Sequence, residues 1–140
     1  MKKTELNEEL LNTLISNAVK AMDYSYSPYS NFAVGACLLS QDGNFYCGSN
    51  VENSSFGASN CAERTAIFKA ISEGKTQFSA IAIAGGKNKK IDDYCFPCGI
   101  CRQVLSEFCK KDFIVIVAKN KKDYKIFTLD ELLPASFNLN

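Results

Sequence analysis

Phe113-Ile114-Val115-Ile116-Val117-Ala118 is the most continuous β-branched run in the chain. It does not alternate with polar residues, which is the pattern of a strand buried on both faces. A second short apolar run, Phe78-Ser79-Ala80-Ile81-Ala82-Ile83-Ala84, ends at Gly85-Gly86 and reads as another buried strand. Between them a helix is expected from near Pro97-Cys98 to about Lys110, giving strand, helix, strand. Beyond residue 118, a last strand near 124–127 runs into Thr128-Leu129-Asp130-Glu131, whose spacing is that of a capping box for a short helix. Upstream, Gln41-Asp42-Gly43-Asn44 separates two apolar stretches, and Asp-Gly there predicts a hairpin pairing 32–40 with a strand near 45–50. Residues 61–73 read as a helix closed by Gly74. Leu6, Leu10, Leu11, Leu14, Ile15, Ala18 and Met22 recur at helical spacing, so a first helix covers about 7–22, capped by Asn7 or Thr4. It gives way to Tyr24–Asn31, which Pro28 keeps out of helix. The order α-β-β-α-β-α-β-β-α predicts an α/β fold, a three-layer α-β-α sandwich around a mixed five-stranded sheet.

The chain has 140 residues, expected to form one domain over 1–140 with a core that needs no disulfide staples. Hydrophobic residues at 46% and charged residues at 22% exclude a disordered or fibrous chain. Sixteen basic against fifteen acidic residues leave a net charge of +1. That balance provides no footprint for a nucleic acid polymer. Lys87-Asn88-Lys89-Lys90 and Lys119-Asn120-Lys121-Lys122 fall in expected turns and read as solvated loops. No apolar run approaches the ~20 residues of a membrane span, and the polar start lacks a signal-peptide core. The expectation is a soluble, cytoplasmic protein with no membrane partner. Histidine is absent, so Ser-His and Cys-His catalysis and His-ligated metals are excluded. Seven cysteines, an odd number, argue for thiols with chemistry rather than a disulfide framework.

Two motifs concentrate that chemistry: Cys61-Ala62-Glu63-Arg64 and Pro97-Cys98-Gly99-Ile100-Cys101. Cys-x-x-Cys at a helix start puts two sulfurs on one turn, where the helix N-terminus favours the thiolate that binds metal. Cys61, opening another helix, can supply a third sulfur and leave zinc an open position. Glu63 leaves its helix in another direction and suits a proton acceptor and donor, although Asn60 and Glu63 also make a capping-box-like pair. The chain has two arginines against fourteen lysines, and both arginines adjoin these cysteines. Arg64 shares a helical face with Cys61 and would offset thiolate charge around the zinc. Arg102 points elsewhere and reads as a structural or subunit contact. Cys37, Cys47 and Cys109 read as packing residues. Cys95, three positions before Cys98, is a nearby competitor for metal.

Cys-Ala-Glu-Arg followed 37 positions later by Pro-Cys-x-x-Cys-Arg-Gln resembles the zinc-dependent cytidine deaminases, in their small, homotetrameric three-cysteine form. The resemblance extends through Phe32-Ala33-Val34-Gly35-Ala36, Asn50-Val51-Glu52-Asn53-Ser54-Ser55-Phe56 and Leu132-Leu133-Pro134-Ala135-Ser136-Phe137. It implies one zinc ion per subunit on Cys61, Cys98 and Cys101, with Glu63 as proton shuttle and Arg64 supporting the ligands. It implies a nucleoside held by the 50–56 segment, with Asn50 and Glu52 on the ribose hydroxyls and Phe32 on the pyrimidine. Phe137 would reach a neighbouring subunit's site. Phe56 stands where relatives often carry tyrosine, and Phe96 where many carry a small or polar residue. The implied reaction is hydrolytic deamination of cytidine or 2′-deoxycytidine, a step of pyrimidine salvage. Three other readings remain open at this point: the same scaffold acting on other aminated substrates, a structural zinc with Cys95 as fourth ligand, and a Cys98–Cys101 redox dithiol.

Overall fold

The computed structural model describes residues 1–139. Helix α1 spans Glu8–Ala21, and Asn7 caps it, its side chain accepting from Leu10 N at 2.8 Å. Strands β1, Phe32–Ser40, and β2, Phe45–Ser49, form the expected hairpin, with Gly43 at φ 92° in the turn. Helix α2 is Ala62–Ser72, followed by Gly74 at φ 89°. Strand β3 is Phe78–Lys87, α3 is Gly99–Phe108, β4 is Ile114–Asn120 and β5 is Asp123–Thr128. The last helix, α4, is Leu129–Leu132, and its capping box is complete: Thr128 and Glu131 each satisfy the other's backbone N–H.

The strands form one mixed sheet in the order β2-β1-β3-β4-β5, in which only β3 and β4 are parallel. Alternation along the central strands separates two cores. Ala80, Ala82, Ala84, Ile114 and Ile116 face α1, together with Cys37 and Leu39. Ile81, Ile83, Val115 and Val117 face α2, α3 and α4. Full burial of each large aliphatic side chain contributes about 1.5–3 kcal/mol, so the two faces of β3 and β4 supply much of the stability. The predicted sandwich and strand count are therefore observed. Among the described residues no helix is long and apolar enough to cross a membrane.

One boundary differs from the sequence expectation. Gly85-Gly86 does not end β3, which continues to Lys87 with Gly85 and Gly86 opposite Val34 and Ala33. The glycines serve close approach instead. A Cβ on Gly86 would lie 1.9 Å from the Lys90 carbonyl oxygen, where the following chain folds back over the strand.

A candidate zinc and deaminase site

Cys61 and Cys98 are the N-cap residues of α2 and α3, with extended backbone (ψ 157° and 169°). An N-cap side chain usually accepts from its own helix. Neither sulfur does so here, which leaves both available to a ligand. Cys101 lies one turn into α3 and is fully buried. The three sulfurs lie within 4.8 Å of one another, and Cys61 Sγ is 3.9 Å from Cys98 Sγ. Three soft thiolate donors converging from two helix N-termini suit zinc, and among the described residues no fourth metal-binding side chain joins the cluster.

Hydrogen bonding by Cys101 and the Arg64 guanidinium lower the Cys61 thiol and favour its thiolate. Cys101, which shares a proton with it and is buried, is pushed up correspondingly. Arg64 Nη2 donates to Cys61 Sγ at 3.1 Å, while its Nε is buried with no partner among the described residues. Burial raises Cys95 to about 12, and its sulfur is not one of the three that converge. Arg102 is structural, donating from Nε to the Pro97 carbonyl at 2.8 Å and from Nη1 to the Leu132 carbonyl at 2.6 Å. It thereby ties the start of α3 to the end of α4.

Glu63 is 4% exposed. Burial raises its carboxyl to about 7, with the neighbouring Cys61 thiolate pushing the same way. It lies beside the cysteines in a cleft of about 460 Å³, lined also by Asn50, Glu52, Phe56, Arg64 and Cys98.

The remaining expected site residues divide. Asn50 is heavily engaged: its Oδ1 accepts from Val34 N at 2.9 Å and from Ser25 Oγ, and its Nδ2 donates to the Phe32 carbonyl at 2.7 Å. Glu52 accepts from Tyr29 N at 3.0 Å, Ser30 N at 3.1 Å and the Ser30 hydroxyl, and these donors, Ser30 foremost, lower its pKa. Val51 bridges to Tyr26 and Asn60. Asn53 Oδ1 accepts from Ser55 N, and Ser54 pairs with the Tyr29 hydroxyl. These contacts shape the loop, but Val51, Asn53, Ser54 and Ser55 do not line the cleft, and neither do Phe32 and Phe137. Phe56 does, edge-on to Tyr29 at 6.5 Å and 80% exposed. Phe137 is 68% exposed, and its carbonyl accepts from Gln103 Nε2. Val34, Asn60, Phe96 and Ile100 also line the cleft, and nothing in the sequence marks them as contacts. Phe96 packs on Phe127, with ring centroids 5.6 Å apart.

Three cysteine sulfurs at two helix N-termini, with a buried carboxyl beside them, define a candidate zinc site on an α/β sandwich. The family model for the cytidine and deoxycytidylate deaminase zinc-binding region matches residues 8–117. A cytidine deaminase of Halalkalibacterium halodurans is 45% identical over 124 residues, covering 89% of this chain and 91% of that protein. The crystal structure of cytidine deaminase from Burkholderia pseudomallei superposes with a TM-score of 0.82 at 42% identity, covering 89% and 97% of the two chains. That from Mycobacterium tuberculosis gives 0.76 at 37% identity, covering 91% and 97%. The chain belongs to the cytidine and deoxycytidylate deaminase family and is a zinc-binding enzyme of that family.

Proposed function

We propose that this chain hydrolyses free cytidine and 2′-deoxycytidine to uridine and 2′-deoxyuridine with release of ammonia, a reaction of pyrimidine salvage. The observation that carries this reading is Glu63, a carboxyl buried beside three convergent cysteine sulfurs in a cleft of about 460 Å³. Cys61, Cys98 and Cys101 would hold the zinc ion, which when bound would supply Lewis acidity to make water a competent nucleophile near neutral pH. Glu63 accepts the proton that water gives up as its oxygen adds to C4 of the ring. It then delivers that proton to N3, and afterwards carries the proton of the new C4 hydroxyl to the departing amine as the C4 carbonyl forms and the C–N bond breaks. A carboxyl near 7 suits both directions of transfer, because acceptance and donation are then comparably easy.

Asn50 and Glu52 fit the ribose hydroxyls in a restricted way. The oxygen of Asn50 already accepts two hydrogen bonds, so its free contribution is the second amide N–H. The Glu52 carboxylate retains an acceptor site beyond its three donors. Phe32, Val51, Asn53, Ser54 and Ser55 act in this reading by shaping the substrate loop, and Phe56 by covering the cleft.

The single domain over 1–140 works in this reading as a homotetramer. Exposed Phe56 and Ile100 at the cleft, and exposed Phe137 away from it, leave apolar surface for a neighbouring subunit to cover, Phe137 reaching that subunit's site. Sedimentation of the zinc-loaded protein tests this, and a monomer contradicts it. The seven unpaired cysteines favour a reducing, cytoplasmic setting. The direct test of activity is ammonia release from cytidine, followed with the accompanying ultraviolet change. Turnover is expected, and silence in protein shown to hold zinc overturns the substrate assignment.

A further inference from the structure

Two other thiols meet on the opposite face of the sheet, under α1. Cys37 of β1 and Cys47 of β2 are direct cross-strand partners. The bonds flanking them set the phase of the ladder. Asn50 N donates to the Val34 carbonyl at 3.2 Å, and Ser40 N to the Asn44 carbonyl at 3.0 Å. These mark 34 with 50 and 40 with 44 as hydrogen-bonded pairs. By the period of two, 37 with 47 is a non-hydrogen-bonded pair. Opposite α-carbons at such sites are about 4.5 Å apart, with side chains closer than at hydrogen-bonded sites. That separation falls within the ~4.4–6.8 Å range that a disulfide spans. The outer edge agrees: the Cys47 carbonyl points away from β1 and accepts from Lys69 Nζ.

The two sulfurs differ in access. Cys37 is fully buried, whereas Cys47 is half-buried and lines a groove of about 400 Å³ with Asn17, Lys20, Tyr24, Thr65 and Lys69. One thiol faces solvent, and its partner is sealed directly behind it. A hydrogen bond from Cys37 and the charge of Lys69 lower the Cys47 thiol, while Cys37 is pushed up. The attacking and resolving roles are thereby separated.

We propose that Cys37 and Cys47 form a peroxide-oxidised dithiol site, distinct from the zinc-binding cysteines. The Cys47 thiolate attacks one oxygen of hydrogen peroxide. An S–O bond forms, the O–O bond breaks, and the leaving hydroxide takes up a proton to become water. The Cys37 sulfur then attacks the Cys47 sulfenic acid. The S–S bond forms, the S–O bond breaks, and a second water leaves with the Cys37 proton. Two thiols and one hydrogen peroxide thus give one disulfide and two waters. The crosslink ties together the two strands whose open end carries Asn50, and it does not depend on the substrate assignment.

The test is limited hydrogen peroxide treatment of the zinc-loaded full chain, followed by alkylation and non-reducing peptide mass mapping. The expected product is a peptide pair joining Cys37 to Cys47, lighter by two hydrogens and separated by dithiothreitol. Cys47→Ser should abolish the crosslink, and Cys37→Ser should leave a Cys47 sulfenic acid that dimedone traps. Oxidation confined to Cys61, Cys98 and Cys101 overturns the proposal. So does wild-type protein in which Cys47 is oxidised alone and Cys37 remains alkylatable.

Discussion

Arg64 reaches back one turn along α2 to donate to Cys61 Sγ at 3.1 Å. Three thiolates around a divalent ion carry a net negative charge, and Arg64 is the cation set against it. Partners of this kind orient ligands and tune the metal, and their loss typically weakens metal binding by about 10- to 100-fold. Arg64→Gln should weaken zinc affinity by that order in competition with a chromogenic chelator. An unchanged affinity would show that Arg64 does not support the ligands.

Gly48 positions the same helix from below. A Cβ at residue 48 would lie 2.5 Å from Ala66 N and 2.7 Å from the Ala62 carbonyl oxygen, both backbone atoms of α2. A methyl there presses on the N-terminal half of α2, which opens at Cys61 and carries Glu63. Gly48→Ala should therefore cost about 1–3 kcal/mol, the range for overpacking. Urea denaturation measures this, and a stability equal to the parent's would mean that α2 has room to shift.

The chain ends are joined by Lys3 Nζ and Glu131 Oε1 at 2.7 Å. This contact, with the Thr128 backbone and hydroxyl, lowers the Glu131 carboxyl to about 2. A carboxyl depressed on folding binds its proton more readily when unfolded. Its stabilising effect is therefore present above the ordinary glutamate value and disappears as pH falls towards 2. Thermal melts of Glu131→Gln should show a flatter pH dependence than the parent between about pH 4.5 and 2. Parallel profiles would remove Glu131 from the acid response.

The parts legible in the sequence are those fixed by local chemistry. Asp42-Gly43 specifies its turn, Thr128 and Glu131 specify their capping box, and Cys61 and Cys98 each open a helix. Once two helix starts carry Cys and Cys-x-x-Cys, convergence of the sulfurs needs only that the sheet bring those helix ends together. Gly85-Gly86 carries the local signature of a turn, but in the fold it serves a close approach by the backbone at Lys90. Val34, Asn60, Phe96 and Ile100 line the cleft through tertiary assembly, and nothing in their spacing marks them. Phe32 and Phe137 stand away from the cleft lining, the first engaged through its backbone with Asn50 and the second with Gln103. The division of Asn50 and Glu52 hydrogen bonds depends on Ser25, Tyr29 and Ser30, which the sequence offers only as a polar-aromatic loop.

The central claim is that Glu63 moves protons over a metal centre built from Cys61, Cys98 and Cys101. Its most direct test compares cytidine turnover by Glu63→Gln and the parent at equal zinc content and equal folded fraction. Glutamine keeps the size of the side chain and cannot exchange a carboxyl proton. The predicted result is full zinc occupancy with turnover lower by about 10²- to 10⁴-fold, the range for a general acid–base group. Turnover close to the parent's in the zinc-loaded variant would contradict the account.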